Sequence, residues 1–313
     1  MLGAGMRARA GDQWIALDHA DGELCFVSHA HGDHTRGLRA GKPVIASEAT
    51  LALSGYEKAA RCTAPGLSLL NAGHILGSNQ LVVDGDGQRL IFTGDLRLED
   101  GLTTKGAESL ACDTLVIEAT FGSPEFVFPP REEIYDAISF WVRQKLERGC
   151  IVFGAYSVGK AQELIKLLNE RCGIAPFVHP RIERACKVYE AFGVRLDRIP
   201  IAQEAMSSNF IAILPFREVT PSLARNLQAT YNKRFFTSLV TGWALRFRYP
   251  VDVAFPLSDH AGFDQLIEYV ERAAPKRVFT AFGYDERLAA ELRKRGFNAS
   301  PAKEVGLLQA AVR

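Results

Sequence analysis

The chain lacks the features that mark several classes of protein. It has no apolar run long enough for a membrane span, and its six cysteines include no CxxC pair, so no thiolate zinc site is expected. It also lacks an excess of charge, because 37 Lys and Arg stand against 36 Asp and Glu for a formal net charge of +1. Domains that hold nucleic acid through overall charge are usually strongly basic. A phosphate-bearing partner would therefore need a local basic patch or a metal ion.

The composition is that of an ordinary globular protein. A hydrophobic share of 47% with 23% charged residues excludes a largely disordered or coiled-coil chain, and the length corresponds to about two domains. The cysteines are expected to be buried and reduced, and the first residues contain no secretion signal. We therefore expect a soluble, cytoplasmic protein that does not interact with membranes, whose oligomeric state the sequence leaves open.

The order of apolar segments predicts an α/β protein with a change of pattern near residue 123. Before this point short strands alternate with Gly- and Asp-rich turns, from Gln13–Leu17 to Thr114–Ile117. A Pro-rich break follows, and then helices alternate with strands, beginning with a helix over Arg131–Arg148 and a strand over Cys150–Ala155. Such alternation is typical of parallel α/β packing.

A dense group of potential metal ligands follows the strand predicted over Glu23–Ser28. Three of the seven histidines and one aspartate lie within six residues there: His29, His31, Asp33 and His34. A lone histidine is usually structural, but imidazoles concentrated with a carboxylate in one turn suit Zn²⁺ or Mn²⁺. Such an ion lowers the pKa of bound water to about 7, which hydrolysis at neutral pH requires. The segment therefore predicts a hydrolytic metal site.

Two later segments are expected to complete this site. His74 lies among small residues, and Asp95 follows an apolar strand; taken alone, each would be an ordinary turn or cap residue. Together with the first group both become predicted ligands, and the Asp95 carboxylate would bridge two ions. Asp18 is expected to brace the ligand loop through hydrogen bonds.

The ligand set resembles that of the metallo-β-lactamase superfamily, HxHxDH followed by a His and an Asp. Three further segments are similar to motifs of its β-CASP nucleases: Glu118–Gly122, Tyr156–Leu164 and Ser258–Gly262. This resemblance covers essentially the whole chain. It implies a four-layer αβ/βα metallo-β-lactamase fold interrupted by an α/β β-CASP domain. We place the insertion at residues 124–245, between two parts of the metallo-β-lactamase domain at 1–123 and 246–313.

The resemblance also implies a metal-dependent phosphodiesterase in which metal-bound hydroxide attacks phosphorus. The ligands would be divided between two divalent ions, Zn²⁺ or Mn²⁺, with Asp95 as the bridge: His29, His31 and His74 for the first ion, and Asp33 and His34 for the second. Catalysis is assigned to Asp33, Glu118 and His260. His260 would act as general acid for the leaving oxygen or as a donor to the scissile phosphate, with Glu118 orienting it.

One position departs from the family pattern. RNA-processing members have a His that would ligate the second metal where this chain has Phe282, and DNA-directed members of the Artemis kind have an apolar residue there. Phe282 either simply packs, or its presence makes the second metal site weak. This departure favours DNA over RNA as the substrate.

Positive charge is concentrated in residues 217–250, where six basic residues and one acid give a net charge of +5 and aromatic residues lie among them. Basic groups neutralise phosphate and aromatic rings stack on unpaired bases, although most of these rings would also suit strand cores. Arg246 and Arg248 are expected to project from one strand face towards phosphate. Ser157 and Lys160, before a helix, are a second candidate phosphate site; the alternative there is a Ser cap with a solvated Lys.

The favoured function is a nuclease acting on DNA, of the DNA-repair type, with 5′-to-3′ exonuclease action as one option. An RNA-processing endo- or exonuclease of the mRNA 3′-end type would use the same chemistry. A small-molecule metallo-hydrolase would leave Glu118 and His260 without a purpose. A non-catalytic binding subunit would have broken ligand motifs, whereas only Phe282 departs here. Exonuclease against endonuclease action, polarity and metal identity stay open.

Overall fold

The computed structural model describes residues 5–11, 13–201, 208–305 and 310–312, which include every candidate site residue. Its strands are β1 (Arg7–Ala10), β2 (Gln13–Leu17), β3 (Leu24–Phe26), β4 (Val44–Ile45), β5 (Leu67–Asn71), β6 (Asn79–Gly85), β7 (Gln88–Phe92), β8 (Thr114–Glu118), β9 (Cys150–Ala155), β10 (Phe177–Val178), β11 (Ile199–Pro200), β12 (Ile211–Pro215), β13 (Phe235–Val240), β14 (Val253–Phe255), β15 (Arg277–Ala281), β16 (Ala299–Pro301) and β17 (Ala310–Val312). Its α-helices are α1 (Glu48–Ser54), α2 (Arg131–Leu146), α3 (Lys160–Leu167), α4 (Pro180–Ala191), α5 (Pro221–Tyr231), α6 (Phe263–Ala273) and α7 (Asp285–Lys294). No helix within the described ranges has the length and apolar character that crossing a bilayer requires.

The chain divides into two compact units. Unit 1 comprises Met1–Val127 and His260–Arg313, and unit 2 comprises Phe128–Asp259. The predicted insertion ended at residue 245, whereas unit 2 continues to Asp259 because β14 pairs in parallel with β13 and so belongs to the sheet of that unit. The assignment of residues 124–245 to an inserted domain stays a prediction.

Two mixed sheets pack face to face in unit 1. Their strand orders are β17-β1-β2-β3-β4 and β16-β15-β8-β7-β6-β5. Between them Phe26 of β3 meets Phe92 of β7 edge to face, with ring centroids 6.0 Å apart. Leu51 of α1 packs on the outer face of the first sheet, while Leu266 of α6 and Leu288 of α7 pack on the outer face of the second. The order helix, sheet, sheet, helix confirms the predicted four-layer α/β fold.

Strand β8 shows why the unit 1 strands are so apolar. Leu115 and Ile117 face the helical layer, and Val116 faces the opposite sheet. Side chains alternate between the two faces of a strand, and here both faces are covered. A continuous apolar run is therefore required, and this strand ends in Glu118 at the edge where the site lies.

Unit 2 has a sheet of order β11-β10-β12-β9-β13-β14 whose described pairings are all parallel. Phe153 of β9 meets Trp141 of α2 on one face of this sheet, with ring centroids 5.7 Å apart. Val152, the preceding residue, lies in the cluster on the opposite face, where Leu223 of α5 packs. The two faces of the unit 2 sheet are therefore covered by different helices.

Arg246 and Arg248 do not lie on a strand. Residues Gly242–Leu245 form a short 3-10 helix, and the backbone N–H groups of Arg246 and Phe247 both donate to the carbonyl of Trp243. This turn takes the chain out of the sheet directly after β13. The prediction that the two arginines project from one strand face is therefore wrong, although both side chains are exposed.

Candidate metal centre

Three imidazoles and one carboxylate converge at one end of the two unit 1 sheets. His31 Nδ1 lies 3.1 Å from His29 Nε2 and 3.1 Å from His74 Nε2. Asp95 Oδ2 lies 3.4 Å from His29 Nε2 and 3.8 Å from His74 Nε2. The four ligand atoms all lie within 4.8 Å of one another. The structure thus brings together four of the six predicted ligands as a single cluster.

This cluster fits a divalent cation. Nitrogen lone pairs repel one another at such distances unless a proton or a cation lies between them. A tetrahedral zinc site with Zn–N distances of about 2.0–2.1 Å places its ligand nitrogens roughly 3.3 Å apart. The observed separations are close to that spacing, and imidazole with carboxylate is a donor set that first-row divalent metals accept.

Hydrogen bonds fix the orientation of His29. The Ser28 hydroxyl lies 2.6 Å from Asp18 Oδ2 and 2.9 Å from His29 Nδ1. Because a carboxylate only accepts, the hydroxyl donates to Asp18 and accepts from His29 Nδ1, which leaves Nε2 as the lone-pair nitrogen that faces the cluster. Burial lowers the pKa of His29 well below its usual value, and the neighbouring imidazoles lower it further. A neutral imidazole is the form that binds metal.

Asp18 braces the ligand loop, as its position in the sequence predicted. Besides Ser28 Oγ, its carboxylate accepts from the Ser28 backbone N–H at 2.7 Å and from His34 Nδ1 at 2.7 Å. Its backbone lies in the left-handed region with φ of 58°, a conformation that aspartate tolerates better than most residues. One buried carboxylate therefore sets the orientation of two imidazoles.

The residues predicted to bind the second ion lie farther apart, and one of them is exposed. His34 Nε2 lies 3.5 Å from Asp95 Oδ2 and 3.8 Å from Asp33 Oδ2, but the Asp33 side chain is 69% exposed. Burial alone would lower the pKa of His34, yet the carboxylates of Asp95 and Asp18 outweigh it and raise the pKa to about 10. The Phe282 ring packs against His34, with centroids 5.3 Å apart. An apolar ring therefore stands beside His34 and offers no ligand atom there.

Asp95 owes its position to a close approach between the two sheets. It follows β7 in the second sheet, while Ser28 follows β3 in the first. A Cβ atom on Gly94 would lie 2.5 Å from Ser28 Cβ, and Gly94 has φ of 55°. Only glycine meets both conditions without strain. Burial raises the pKa of Asp95 to about 6, although His34 and His260 act in the opposite direction.

Glu118, which is buried, and His260, which is partly exposed, form the pair that the motif resemblance implied. Both carboxylate oxygens of Glu118 lie 3.0 Å from His260 Nδ1, and Oε1 also accepts from the Leu96 backbone N–H at 2.7 Å. Burial raises the pKa of Glu118, but His260 and the hydrogen bonds outweigh it and hold the pKa below its usual value. The His260 ring lies 4.4 Å from the His74 ring. Asp95, Glu118 and His260 also satisfy the distance condition for a second potential metal cluster.

Lys160 is enclosed in unit 2 rather than presented to solvent. Its side chain is 3% exposed, and Nζ donates to Asp259 Oδ1 at 2.6 Å. Burial lowers the pKa of Lys160 to about 8 despite the opposing effect of Asp259. The ammonium group is therefore engaged in an internal ion pair, which corrects the expectation of a phosphate contact and also the alternative of a solvated lysine.

The turn before α3 is closed without the Ser157 hydroxyl. Gln162 Oε1 accepts from the Gly159 backbone N–H at 2.7 Å, and Gln162 Nε2 donates to the Ser157 carbonyl at 3.1 Å. The expected serine cap is thus replaced by a glutamine three residues into the helix. A phosphate contact by Ser157 stays a prediction.

Sequence reasoning missed the partners of this ion pair. Arg131 of α2 donates to Glu163 of α3 at 2.9 Å and to the Ser258 carbonyl at 2.7 Å, and both charged side chains are buried. The Tyr135 hydroxyl also bonds to Glu163. One sequence feature could have indicated this ion pair: Arg131 lies in the first turn of a helix, where acidic residues are favoured. This network holds Ser258 and Asp259, and the next residue in the chain is His260.

Removing Glu163 should destabilise the protein much more than removing an exposed acid. Glu163→Ala would leave Arg131 buried without its closest carboxylate, and breaking a buried pair costs about 3–5 kcal/mol. Glu170→Ala is the matched control, because Glu170 pairs with Lys166 at the surface with 46% exposure, and such pairs contribute roughly 0–1 kcal/mol. Urea unfolding followed by circular dichroism measures both free energies. Equal losses in the two variants would contradict the role given to the network.

A metal ion should stabilise the folded chain against heat through the His29 cluster. Any ligand that binds the folded state alone raises Tm, so Zn²⁺ or Mn²⁺ should raise Tm after exhaustive dialysis against EDTA. His31→Ala removes the half-buried member of the cluster and should abolish most of that rise, whereas His179→Ala, in unit 2, should retain it. Differential scanning fluorimetry provides the measurement. A rise that survives His31→Ala unchanged would place the metal elsewhere.

Comparison with known proteins agrees with the arrangement. No family model matches the chain. A probable DNA ligase of Opitutus terrae is 31% identical over 96% of this chain and 31% of its own length. An RNase J-like protein of Methanocaldococcus jannaschii is 31% identical over 32% of this chain and 24% of its own. The 5′ exonuclease Apollo of Gallus gallus is 25% identical over 86% of this chain and 60% of its own. The chain therefore spans less than two thirds of the length of each of these relatives.

A solved structure supports the fold independently. A protein of unknown function from Enterococcus faecalis superposes with a TM-score of 0.57 at 15% sequence identity, over 82% of this chain and 74% of that one. At 15% identity this likeness bears on the fold alone. The sequence relatives confirm the predicted resemblance to the β-CASP nucleases of the metallo-β-lactamase superfamily.

Proposed function

We propose that this chain is a metal-dependent nuclease that hydrolyses phosphodiester bonds of DNA, acting as a 5′ exonuclease. The observation that carries the proposal is the Glu118–His260 pair, whose imidazole lies 4.4 Å from the ring of His74 in the metal cluster. A proton-transfer group beside a metal centre is what cleavage of a phosphodiester needs. A lactamase or thioesterase would have no use for this additional Glu–His pair.

Three observations support DNA as the substrate. Phe282 occupies the position at which RNA-processing relatives would have a ligating histidine. The Opitutus terrae relative that matches 96% of this chain is named as a DNA ligase, so a matching segment accompanies enzymes that act on DNA ends. Apollo, which matches 86% of the chain, is named as a 5′ exonuclease. RNA processing remains the second candidate, because a protein named as RNase J-like is 31% identical over 32% of this chain.

The proposed roles follow from the contacts of each side chain. His29, His31, His74 and Asp95 would hold one divalent ion, Zn²⁺ or Mn²⁺, and His34 with Asp33 would contribute to a second, weaker site. When bound, such an ion neutralises charge on phosphate oxygen and lowers the pKa of a coordinated water to about 7. Asp18 fixes the rings of His29 and His34 before any ion arrives, so little reorganisation accompanies binding.

His260 is the proposed proton donor to the leaving oxygen. Nδ1 is held between the two oxygens of Glu118, and Nε2 is the proposed donor nitrogen. The buried Glu118 carboxylate stabilises the protonated imidazole, as an anion beside a histidine does. Glu118 is itself held by Leu96 N–H, which keeps the pair in one orientation through a catalytic cycle.

Matched digestions test the proposal as a whole. End-labelled single- and double-stranded DNA and RNA of one sequence would be incubated with the protein and Zn²⁺ or Mn²⁺. We expect mononucleotide release from the 5′ end of DNA, dependent on metal and abolished by EDTA. Faster cleavage of RNA would replace the DNA assignment by the RNA candidate, and no cleavage of any strand would refute the nuclease assignment.

Two substitutions should separate metal binding from proton transfer. Asp95→Ala removes a ligand shared by both sites and should abolish hydrolysis. His260→Ala should retain bound metal but slow turnover by about 10²–10⁴-fold, the usual contribution of one proton-transfer group. Hydrolysis rates and metal content by plasma mass spectrometry check both outcomes. Circular dichroism serves as the folding control, and unchanged cleavage by either folded variant would contradict the assignment.

Replacing Phe282 should change the number of metal ions bound. Residue 282 has φ of 65°, and histidine is among the residues that tolerate this region, so Phe282→His places an imidazole beside His34 with little backbone cost. Metal retained per protein after dialysis should rise, whereas Phe282→Leu, which also lacks a donor, should leave it unchanged. An unaltered metal-to-protein ratio in Phe282→His would show that the ring at 282 does not limit the second site.

A further inference from the structure

Unit 2 has a ligand-binding position of its own at the carboxyl edge of its sheet. β9 and β12 are neighbours in the sheet, yet the helices that follow them lie on opposite faces. α3 is joined to α2 by the Arg131–Glu163 ion pair on one face, and α5 packs on the other face. In open parallel sheets the loops diverge at such a point, and the crevice between them is where ligands bind.

A pair of aromatic rings stands at this point. Tyr156 directly follows β9 and Phe216 directly follows β12, and their rings stack with centroids 5.3 Å apart and planes within 9°. Tyr249 meets Phe216 edge to face at 5.8 Å. The Tyr156 hydroxyl is hydrogen-bonded to Thr241, at the end of β13. The rings are therefore held in place from three sides.

Tyr156 nevertheless stays open to solvent. Its side chain is 45% exposed, although aromatic rings release most free energy when they are fully buried. Phe235 and Phe236, in the adjacent strand β13, are almost completely buried, so the aromatic residues of this unit divide into core rings and rings at the edge. A ring pair that is held in place and half exposed offers a face on which a third planar group, such as a base, can stack.

The charge around this stack is positive. Arg217 adjoins Phe216, and Arg246 and Arg248 precede Tyr249 in the loop after β13; all three are exposed. Two acids lie in this region: Glu218 is 3.7 Å from His179, and Asp259, whose charge acts on Tyr156, is paired with Lys160 at 2.6 Å. Exposed aromatic rings flanked by basic groups are the composition of surfaces that bind single-stranded nucleic acid, where rings stack on bases and cations contact phosphates.

We propose that Tyr156 and Phe216 form a stacking platform for unpaired bases of the substrate strand, flanked by Arg217, Arg246 and Arg248 as phosphate contacts. The proposal rests on the nuclease function proposed above and specifies its substrate as a single-stranded or frayed end rather than a blunt duplex. The chain leaves the same edge of the sheet through β14 and residues 256–259, and the next residue is His260.

Binding to two strands that differ only in their bases tests the platform. One is a fluorescein-labelled single-stranded DNA of phosphorothioate linkages, which resist cleavage, and the other has the same backbone with abasic sites. Full-length protein loaded with Mn²⁺ is titrated against each by fluorescence anisotropy. Tyr156→Ala should weaken binding of the base-bearing strand by about 5- to 100-fold, as expected for the loss of one stacked base, and leave the affinity for the abasic strand unchanged.

Controls distinguish stacking from other effects. Tyr156→Phe keeps the ring and should restore the affinity. Phe140→Ala removes an aromatic ring of α2 that is 63% exposed and should change neither affinity. A 2-aminopurine base in the strand should be quenched on binding to the wild-type protein and to Tyr156→Phe, but much less by Tyr156→Ala. Equal weakening for both strands, or none for either, would overturn the platform and leave this edge as a surface for a different partner.

A separate measurement keeps the two proposals apart. Hydrolysis of bis(p-nitrophenyl) phosphate by the wild-type protein reports the metal centre without any base. Base-dependent binding without this hydrolysis would refute the nuclease assignment while supporting the platform. Hydrolysis without base-dependent binding would refute the platform while supporting a hydrolytic metal centre.

Discussion

The contact between Gly94 and Ser28 is the constraint on which the metal centre depends. His29, His31 and His34 follow a strand of one sheet, whereas Asp95 follows a strand of the other. The ligands can meet only if the two strand ends approach until no side chain fits between them, as the 2.5 Å separation from a Cβ on Gly94 shows. The face-to-face packing of the sheets thus has a direct chemical result, because it closes the distance between imidazoles and a carboxylate that are far apart in the chain.

Ionisable groups are buried in both units, and their loss of hydration must be offset by groups of opposite charge. The two units use different pairs of groups. In unit 1 the carboxylates Asp18, Asp95 and Glu118 are set against imidazoles, and the pKa values of His34 and Asp95 are displaced to about 10 and about 6. Such displaced values cluster at functional sites. In unit 2 Arg131 and Lys160 are paired with Glu163 and Asp259, and the network also bonds to the backbone carbonyl of Ser258.

The sequence was sufficient for the first part of the metal cluster because that information is local, whereas His74 and Asp95 were predicted only in combination with it. Four potential ligands within six residues could not be mistaken for scattered structural histidines, and the strands before them were continuous apolar runs. The Arg131 network could not be found in this way, because each of its pairs joins positions far apart in the chain. Helix α5 was also missed, although Thr220 and Pro221 form a recognisable start and Leu223 and Leu227 pack on the core of unit 2.

The path of the backbone around Phe282 does not depend on the side chain at that position. Gly283 lies so close to Ala119 that a Cβ would come within 2.4 Å of its carbonyl oxygen, and the Tyr284 N–H donates to the same carbonyl. These contacts set the path of the chain without help from the side chain at 282, whose left-handed backbone is imposed by its neighbours. The side chain at 282 can therefore be exchanged without a change in the path of the backbone, although the present ring packs against the core of unit 1. If that ring limits the second metal site, as proposed, one residue decides how many ions this scaffold holds.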